Sequence, residues 1–222
     1  MKGKYYHIIL RILFMLSIPL ISIIHVILNR ERGTVNIIKT FLDDKIPFNK
    51  FFVIPYIYWF GFVFIILLYF AVVDSNNYYR LLASILSGML ICFAIYYFFP
   101  TTVPRPDIVG NDSLSNLVRF IYSKDNPYNC FPSIHVLNAM LVTLFFCKYY
   151  KGIILKGIVI SSCVLINLST LFIKQHYTPD VLASLLLSTT LYLILGSNYL
   201  SRYLLTWTTR HQEKASSSLD TL

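Results

Sequence analysis

Charge is scarce in this chain: only 13% of its 222 residues are charged, against 56% that are hydrophobic. With a mean hydropathy of +0.64, that balance excludes the soluble globular class and the arithmetic that goes with it. A disulfide or zinc pattern is also missing. Of the four cysteines, Cys92, Cys147 and Cys163 fall inside apolar runs and read as small apolar residues, while Cys130 has no evident partner. A metal centre needs more His, Cys or carboxylate at ligand spacing than is present, so neither metal nor cofactor is expected. The first apolar run is too long for a cleavable leader and is followed by a charged loop rather than a small-residue cleavage site. There is no basic stripe of the kind that reads nucleic acid, no internal repeat and no second domain.

What the chain does have is long apolar runs. Six approach the roughly 20 residues a helix needs to cross hydrocarbon: 7–28, 51–73, 81–99, 133–149, 153–173 and 181–200. The expected fold is therefore all-α, a polytopic membrane protein with one embedded domain over 1–200 and a polar cytoplasmic tail over 201–222. Six spans put both termini on one side. Lys and Arg divide nearly evenly, ten on the terminal side and nine opposite, but the nine are spread over much longer loops. Density thus favours cytoplasmic termini, and the plasma membrane is the expected location. The net charge of +9 fits attraction to anionic headgroups.

Between the spans, Val35, Ile38, Phe41 and Leu42 follow helical spacing, with Asp43, Asp44 and Pro47 marking an end, which predicts an interfacial helix. Leu114, Leu117, Val118 and Ile121 recur at i, i+3, i+4 and i+7 behind Asp112 or Ser113, which predicts a short capped helix. Arg11 reads as snorkelling to the interface. Tyr56, Tyr58, Trp59 and Phe60 read as an aromatic belt.

Three polar clusters fall at run ends that emerge on one side. Arg105 is held between Pro104 and Pro106; its planar, permanently charged guanidinium suits two phosphate oxygens at once. Ser133 and His135, in Pro132-Ser133-Ile134-His135, open a helix whose free N–H groups and dipole favour an anion. His176 and Asp180, four apart at another helix start, can share a face, so that the carboxylate holds one ring nitrogen and raises the basicity of the other.

The ordered set Arg105-Pro106, Pro132-Ser133-Ile134-His135 and Ser169…His176…Asp180 resembles the type 2 phosphatidic acid phosphatase (PAP2) superfamily, over roughly residues 50 to 200. The resemblance implies that His176 is a nucleophile carrying the phosphoryl group, oriented by Asp180. His135 would protonate the leaving alkoxide and then deprotonate the acceptor. Arg105, Ser133 and nearby N–H groups would hold the non-bridging oxygens. The implied partners are a phosphorylated lipid and the bilayer, with the site on the outer face.

Two positions depart from the family pattern. Phe98 stands where the first motif has lysine, and Thr170 where the third has arginine. Both missing groups are cationic phosphate ligands, which a diester monoanion needs less than a monoester dianion does. The same thinning marks the branch resembling inositol phosphorylceramide synthase and sphingomyelin synthase. Lys174, Arg119 or Lys50 are available replacements, and Ser169 is a further site candidate. The readings in order are headgroup transfer, hydrolysis of a lipid phosphate or polyprenyl diphosphate, and a non-catalytic lipid-binding scaffold. The soluble vanadium haloperoxidases, which share the motifs, are disfavoured by the spans and the missing cations.

Overall fold

A computed structural model describes residues 2–196; the tail expected over 201–222 and the last four residues of the sixth run lie outside it. The helices are α1 (Lys2–Phe14), α2 (Ser17–Leu28), α3 (Phe41–Lys45), α4 (Val53–Val73), α5 (Ser75–Phe98), α6 (Ser113–Lys124), α7 (Ile134–Tyr149), α8 (Ile153–Phe172) and α9 (Thr178–Leu191). Among the described residues the only β pairing is two isolated bridges, Asn36 with Thr101 and Thr102 with Tyr128.

Five helical stretches are long and apolar enough to cross a membrane: Tyr5–Leu28, Lys50–Val73, Ser75–Phe98, Ile153–Phe172 and Thr178–Gly196. The protein is an integral membrane protein. The fourth of the six runs forms the shorter apolar helix α7, with 16 residues. At 1.5 Å per residue it rises roughly 24 Å, less than the roughly 30 Å hydrocarbon layer. Its position explains how this is tolerated: α7 packs against α4, α5, α8 and α9. Val136, Leu137, Ala139, Leu141, Val142 and Phe145 are fully buried, so protein rather than lipid surrounds it. On α5, a Cβ added at Gly88 would lie 2.7 Å from Leu137 Cδ2 and 3.0 Å from Leu191 Cδ1. Glycine there is what lets the backbone come so close to α7 and α9.

At the other extreme stands the α1–α2 pair, whose Leu13, Leu16, Leu20, Ile23, Val26 and Ile27 all face outward. Arg11 does more than snorkel. Its guanidinium donates to the Ala71 carbonyl, one of the last carbonyls of α4, which a helix leaves unpaired.

The segments 29–52, 99–133 and 173–177 meet at one end of the bundle. Asn36 N–H donates to Pro100 O and Asn36 O accepts from Thr102 N–H, both at 2.9 Å. This pairing holds the chain extended where an interfacial helix was expected, and only Phe41–Lys45 winds into a helix. That helix stops at Lys45, between Asp44 and Pro47 as expected, and Asp43 has a further part. One carboxylate oxygen caps α3 by accepting from the Thr40 N–H and hydroxyl, and the other accepts from Thr178 N–H at 2.8 Å. The first connection is thereby tied to the start of α9.

The helix expected behind Asp112 forms as α6, with Asp112 Oδ1 accepting from Leu114 and Ser115 N–H. Val118 is buried with Val53, Tyr56 and Ile173. The Lys50 ammonium, 2.5 Å away, holds the Asp112 carboxyl below the usual carboxylate range, aided by Ser115. Because folding depresses this pKa, the cap is fully effective above the ordinary value of about 4. It is lost as pH falls through the folded value. Amide protection in α6 should therefore drop in acid and lose its pH dependence in Asp112→Asn. Equal protection at about pH 6 and about pH 3 would contradict this.

Candidate active site

The polypeptide reverses direction between α8 and α9, and one carbonyl organises the turn. Thr170 O accepts from both Gln175 N–H at 2.9 Å and His176 N–H at 3.1 Å. This sets His176, only 7% exposed, just before the first turn of α9. Asp180 lies in that turn and is fully buried. Its Oδ2 accepts from Tyr177 N–H at 2.9 Å, a helix-capping bond, and lies 3.2 Å from His176 Nδ1. The Cys130 carbonyl is 2.9 Å from the same Nδ1. Both neighbours accept only, so Nδ1 carries the hydrogen and the lone pair is left on Nε2.

His135, the second residue of α7, has its ring centroid 6.0 Å from that of His176. Two α4 residues enclose it: Tyr56 at 4.6 Å and Trp59 at 4.5 Å between ring centroids. The expected aromatic belt is thus divided. Tyr56 is buried against His135, and Tyr58 and Phe60 face outward. Helical period puts Tyr56 and Trp59 on one face, but in an all-apolar helix the sequence does not say which face meets protein.

Ser133 and Ser169 are both fully buried. Ser133 caps α7 by accepting from Val136 N–H at 3.4 Å, and its own N–H donates to Asp180 O at 3.4 Å. Ser169 donates to Ile166 O at 2.6 Å. At the two departures from the family pattern, Phe98 is 82% exposed and Thr170 Oγ1 donates to Asn167 O.

Arg105 lies over the Tyr122 ring, 4.3 Å from its centroid. Nη1 donates to Tyr122 O at 3.0 Å and Asp125 O at 2.6 Å, and Nη2 to Gln175 Oε1 at 2.7 Å. Tyr122, its hydroxyl pushed by burial up to about 12, donates to Ile173 O. The guanidinium therefore joins the 99–133 connection to the turn carrying His176. Arg105 Nε and Gln175 Nε2 are buried donors with no partner among the described residues. Gln175, buried beside His176, was not singled out in the sequence; a glutamine one residue from a histidine carries no periodic or spacing signal.

Of the replacement cations, Lys174 lies nearest in sequence. It lines a polar hollow of about 420 Å³ with Arg105, Lys39, Asp43, Asp44 and Tyr177. Its ammonium donates to Asp43 O and Ile46 O, and burial lowers its pKa against the pull of Asp43. Arg119 points elsewhere, donating to Ile108 O and Gly110 O. Lys50 is paired with Asp112. Among the described residues, no three His, Cys, Asp or Glu side chains gather where they could hold a metal ion.

The three clusters thus converge on one end of the bundle. A family model described as "PAP2 superfamily" matches residues 33–194. The crystal structure of Aquifex aeolicus LpxE is similar in fold at 20% identity, covering 80% of this chain and 92% of that one, with a TM-score of 0.47. No curated protein matches the sequence.

Proposed function

The chain belongs to the PAP2 superfamily, and from that premise we propose that it transfers the phosphoryl group of a membrane lipid through a phosphohistidine on His176. One observation carries this reading. His176 Nδ1 is held by Cys130 O and the Asp180 carboxylate, which leaves Nε2 as the nucleophile with His135 alongside.

Nε2 attacks phosphorus and the P–O bond to the lipid alkoxide breaks. His135 donates the proton that the leaving oxygen takes up. In the second half the acceptor gives its proton to His135 while its oxygen displaces Nε2. Asp180 orients the ring and stabilises the cationic intermediate. Arg105, Gln175 and the first N–H groups of α7, capped by Ser133, hold the non-bridging oxygens. Transfer of this kind depends mainly on positioning and charge stabilisation.

The finer reading is headgroup transfer between lipids, in the manner of the branch that resembles inositol phosphorylceramide synthase and sphingomyelin synthase. Phe98 and Thr170 replace the two family cations, and the donor next to Arg105 is the neutral amide of Gln175. A monoanionic diester fits that set better than a dianion does. The presence of Lys174 in the hollow with Arg105 favours the second reading, hydrolysis of a lipid monoester or diphosphate. The orientation read from charge density puts the termini in the cytoplasm and the site at the outer face of the plasma membrane. A reporter fused to either terminus tests it.

The deciding assay supplies the purified protein, in mixed micelles, with phospholipids and lipid phosphates. New lipid phosphodiester and free phosphate are followed together. Diester with little phosphate is expected; phosphate alone establishes the phosphatase. Neither product across the panel would overturn the enzyme reading in favour of a lipid-binding scaffold.

Arg105→Lys separates site from scaffold. A lysine offers a point charge and cannot span Tyr122 O, Asp125 O and Gln175 Oε1 together. Turnover should fall well beyond about twofold, as expected for a contact in a preorganised electrostatic site. Activity within that margin would make Arg105 an anchor.

A further inference from the structure

His135 lines a cavity of about 430 Å³ between α2, α4 and α6, and His176 is not among the residues that line it. That asymmetry has a chemical consequence. In an in-line displacement the attacking and departing atoms stand on opposite sides of phosphorus. If Nε2 of His176 is on one side, the oxygen served by His135 is on the other, in this cavity. The lipid alcohol that leaves in the first half and the acceptor that enters in the second use the same place.

The cavity combines a few polar side chains with mostly apolar walls. Its polar and charged lining includes His25, His135, Asp125 and Lys124. No hydrogen bond to a ring nitrogen of His25 or His135 occurs among the described residues. His25 comes from α2 and stands against Tyr96, 6.0 Å between ring centroids; it lies outside the family-matched residues 33–194. A second, apolar cavity of about 500 Å³ continues from the first, sharing Ile18, Ser22, Trp59, Phe60 and Asn138. Together they run along α4 from Tyr56 to Leu67, a rise of roughly 16 Å and close to the roughly 15 Å of one leaflet's hydrocarbon. At their junction Asn138 is 1% exposed, and its Oδ1 has no partner among the described residues.

We propose that this groove between α2 and α4 is the alcohol subsite, taking a long-chain lipid alcohol with its hydroxyl between His25 and His135. The inference rests on the phosphohistidine reading above. In the second half-reaction the hydroxyl oxygen forms the new P–O bond, the P–N bond to His176 breaks with its electron pair returning to Nε2, and the proton passes to His135. His25 accepts or donates a hydrogen bond at the hydroxyl and holds it in line. Because the walls are apolar, the groove favours a lipid alcohol over water as acceptor.

The test supplies the protein in mixed micelles with a labelled phospholipid donor, and either a long-chain alcohol or methanol as acceptor. Released donor alcohol reports the first half-reaction, and the labelled products report the second. Ser22→Trp, which narrows the groove, should lower alcohol release from a long-chain donor about tenfold; with a short-chain donor it should lower the long-chain product by a similar factor and spare the methanol and water products. His25→Phe should raise the KM for alcohol about threefold to tenfold, as expected for one lost hydrogen bond, with His25→Gln restoring it. Equal loss of all products from the short-chain donor in Ser22→Trp, or an unchanged alcohol KM in His25→Phe, would overturn the subsite. So would a parent that converts the donor but never uses the long-chain alcohol. A parent no better than His176→Ala at releasing donor alcohol would instead overturn the phosphohistidine reading itself.

Discussion

Replacing His176 with alanine should abolish turnover, by at least about 10⁴-fold in kcat, the scale on which a lost nucleophile acts when its partners remain. The reason is chemical rather than structural. His176 is the residue whose Nε2 is left free while Nδ1 is held by Cys130 O at 2.9 Å and Asp180 Oδ2 at 3.2 Å. His135, next in line, has the place of an acid–base group and no carboxylate bonded to its ring. The first turn of α9 should survive the change, because Asp180 keeps its bond from Tyr177 N–H and Thr170 O keeps its bond from Gln175 N–H. Rate measurements with a labelled lipid donor, paired with thermal unfolding in detergent, separate the two effects. Loss of activity at near-parental stability, together with loss of acid-labile label on the protein, is the expected pair. Normal turnover by His176→Ala would end the phosphohistidine mechanism.

Asp180→Asn should have the next largest effect, a fall of about 10² to 10⁴ in kcat, the range seen when the carboxylate that orients a catalytic histidine becomes an amide. The amide oxygen can still accept from Tyr177 N–H, so the helix start is preserved. What is lost is the negative charge next to the ring. The amide's NH₂ can also face Nδ1, which would move the ring hydrogen to Nε2 and remove the lone pair. Cys130 O opposes that flip by continuing to accept from Nδ1–H, which favours the lower end of the range. The signature is a reduced kcat with KM close to the parent value, because the charge is needed when the ring becomes cationic and less when lipid binds. A KM rise with unchanged kcat would instead assign Asp180 to binding.

Much of this site was legible in the sequence, for identifiable reasons. His176 and Asp180 are four apart at a helix start, and local geometry alone brings them together. Counting apolar runs puts Arg105, Ser133, His135 and His176 at one end. Asp112 followed by a 3,4 pattern specifies α6 without reference to the rest of the chain. Other parts left no trace. Gln175 bonding Arg105 and Asp43 capping two helix starts depend on contacts between segments far apart in sequence. The extended course of 33–40, where helical spacing was present, comes from backbone pairing of Asn36 with Pro100 and Thr102. Tertiary hydrogen bonds there outweighed a weak local preference.

The sequence by itself determined that the chain lives in a membrane, because its charge is too scarce for water. It also determined which residue types meet at one end, because runs of known length alternate sides. Only the tertiary structure decided which faces of those runs meet protein and which meet lipid. It alone put Tyr56 and Trp59 around His135, His25 in the same cavity, and the short α7 inside the bundle. The physical reason is that lipid chains are as apolar as leucine. A helix apolar on every side carries no hydrophobic pattern to say which way it faces, and packing settles the matter.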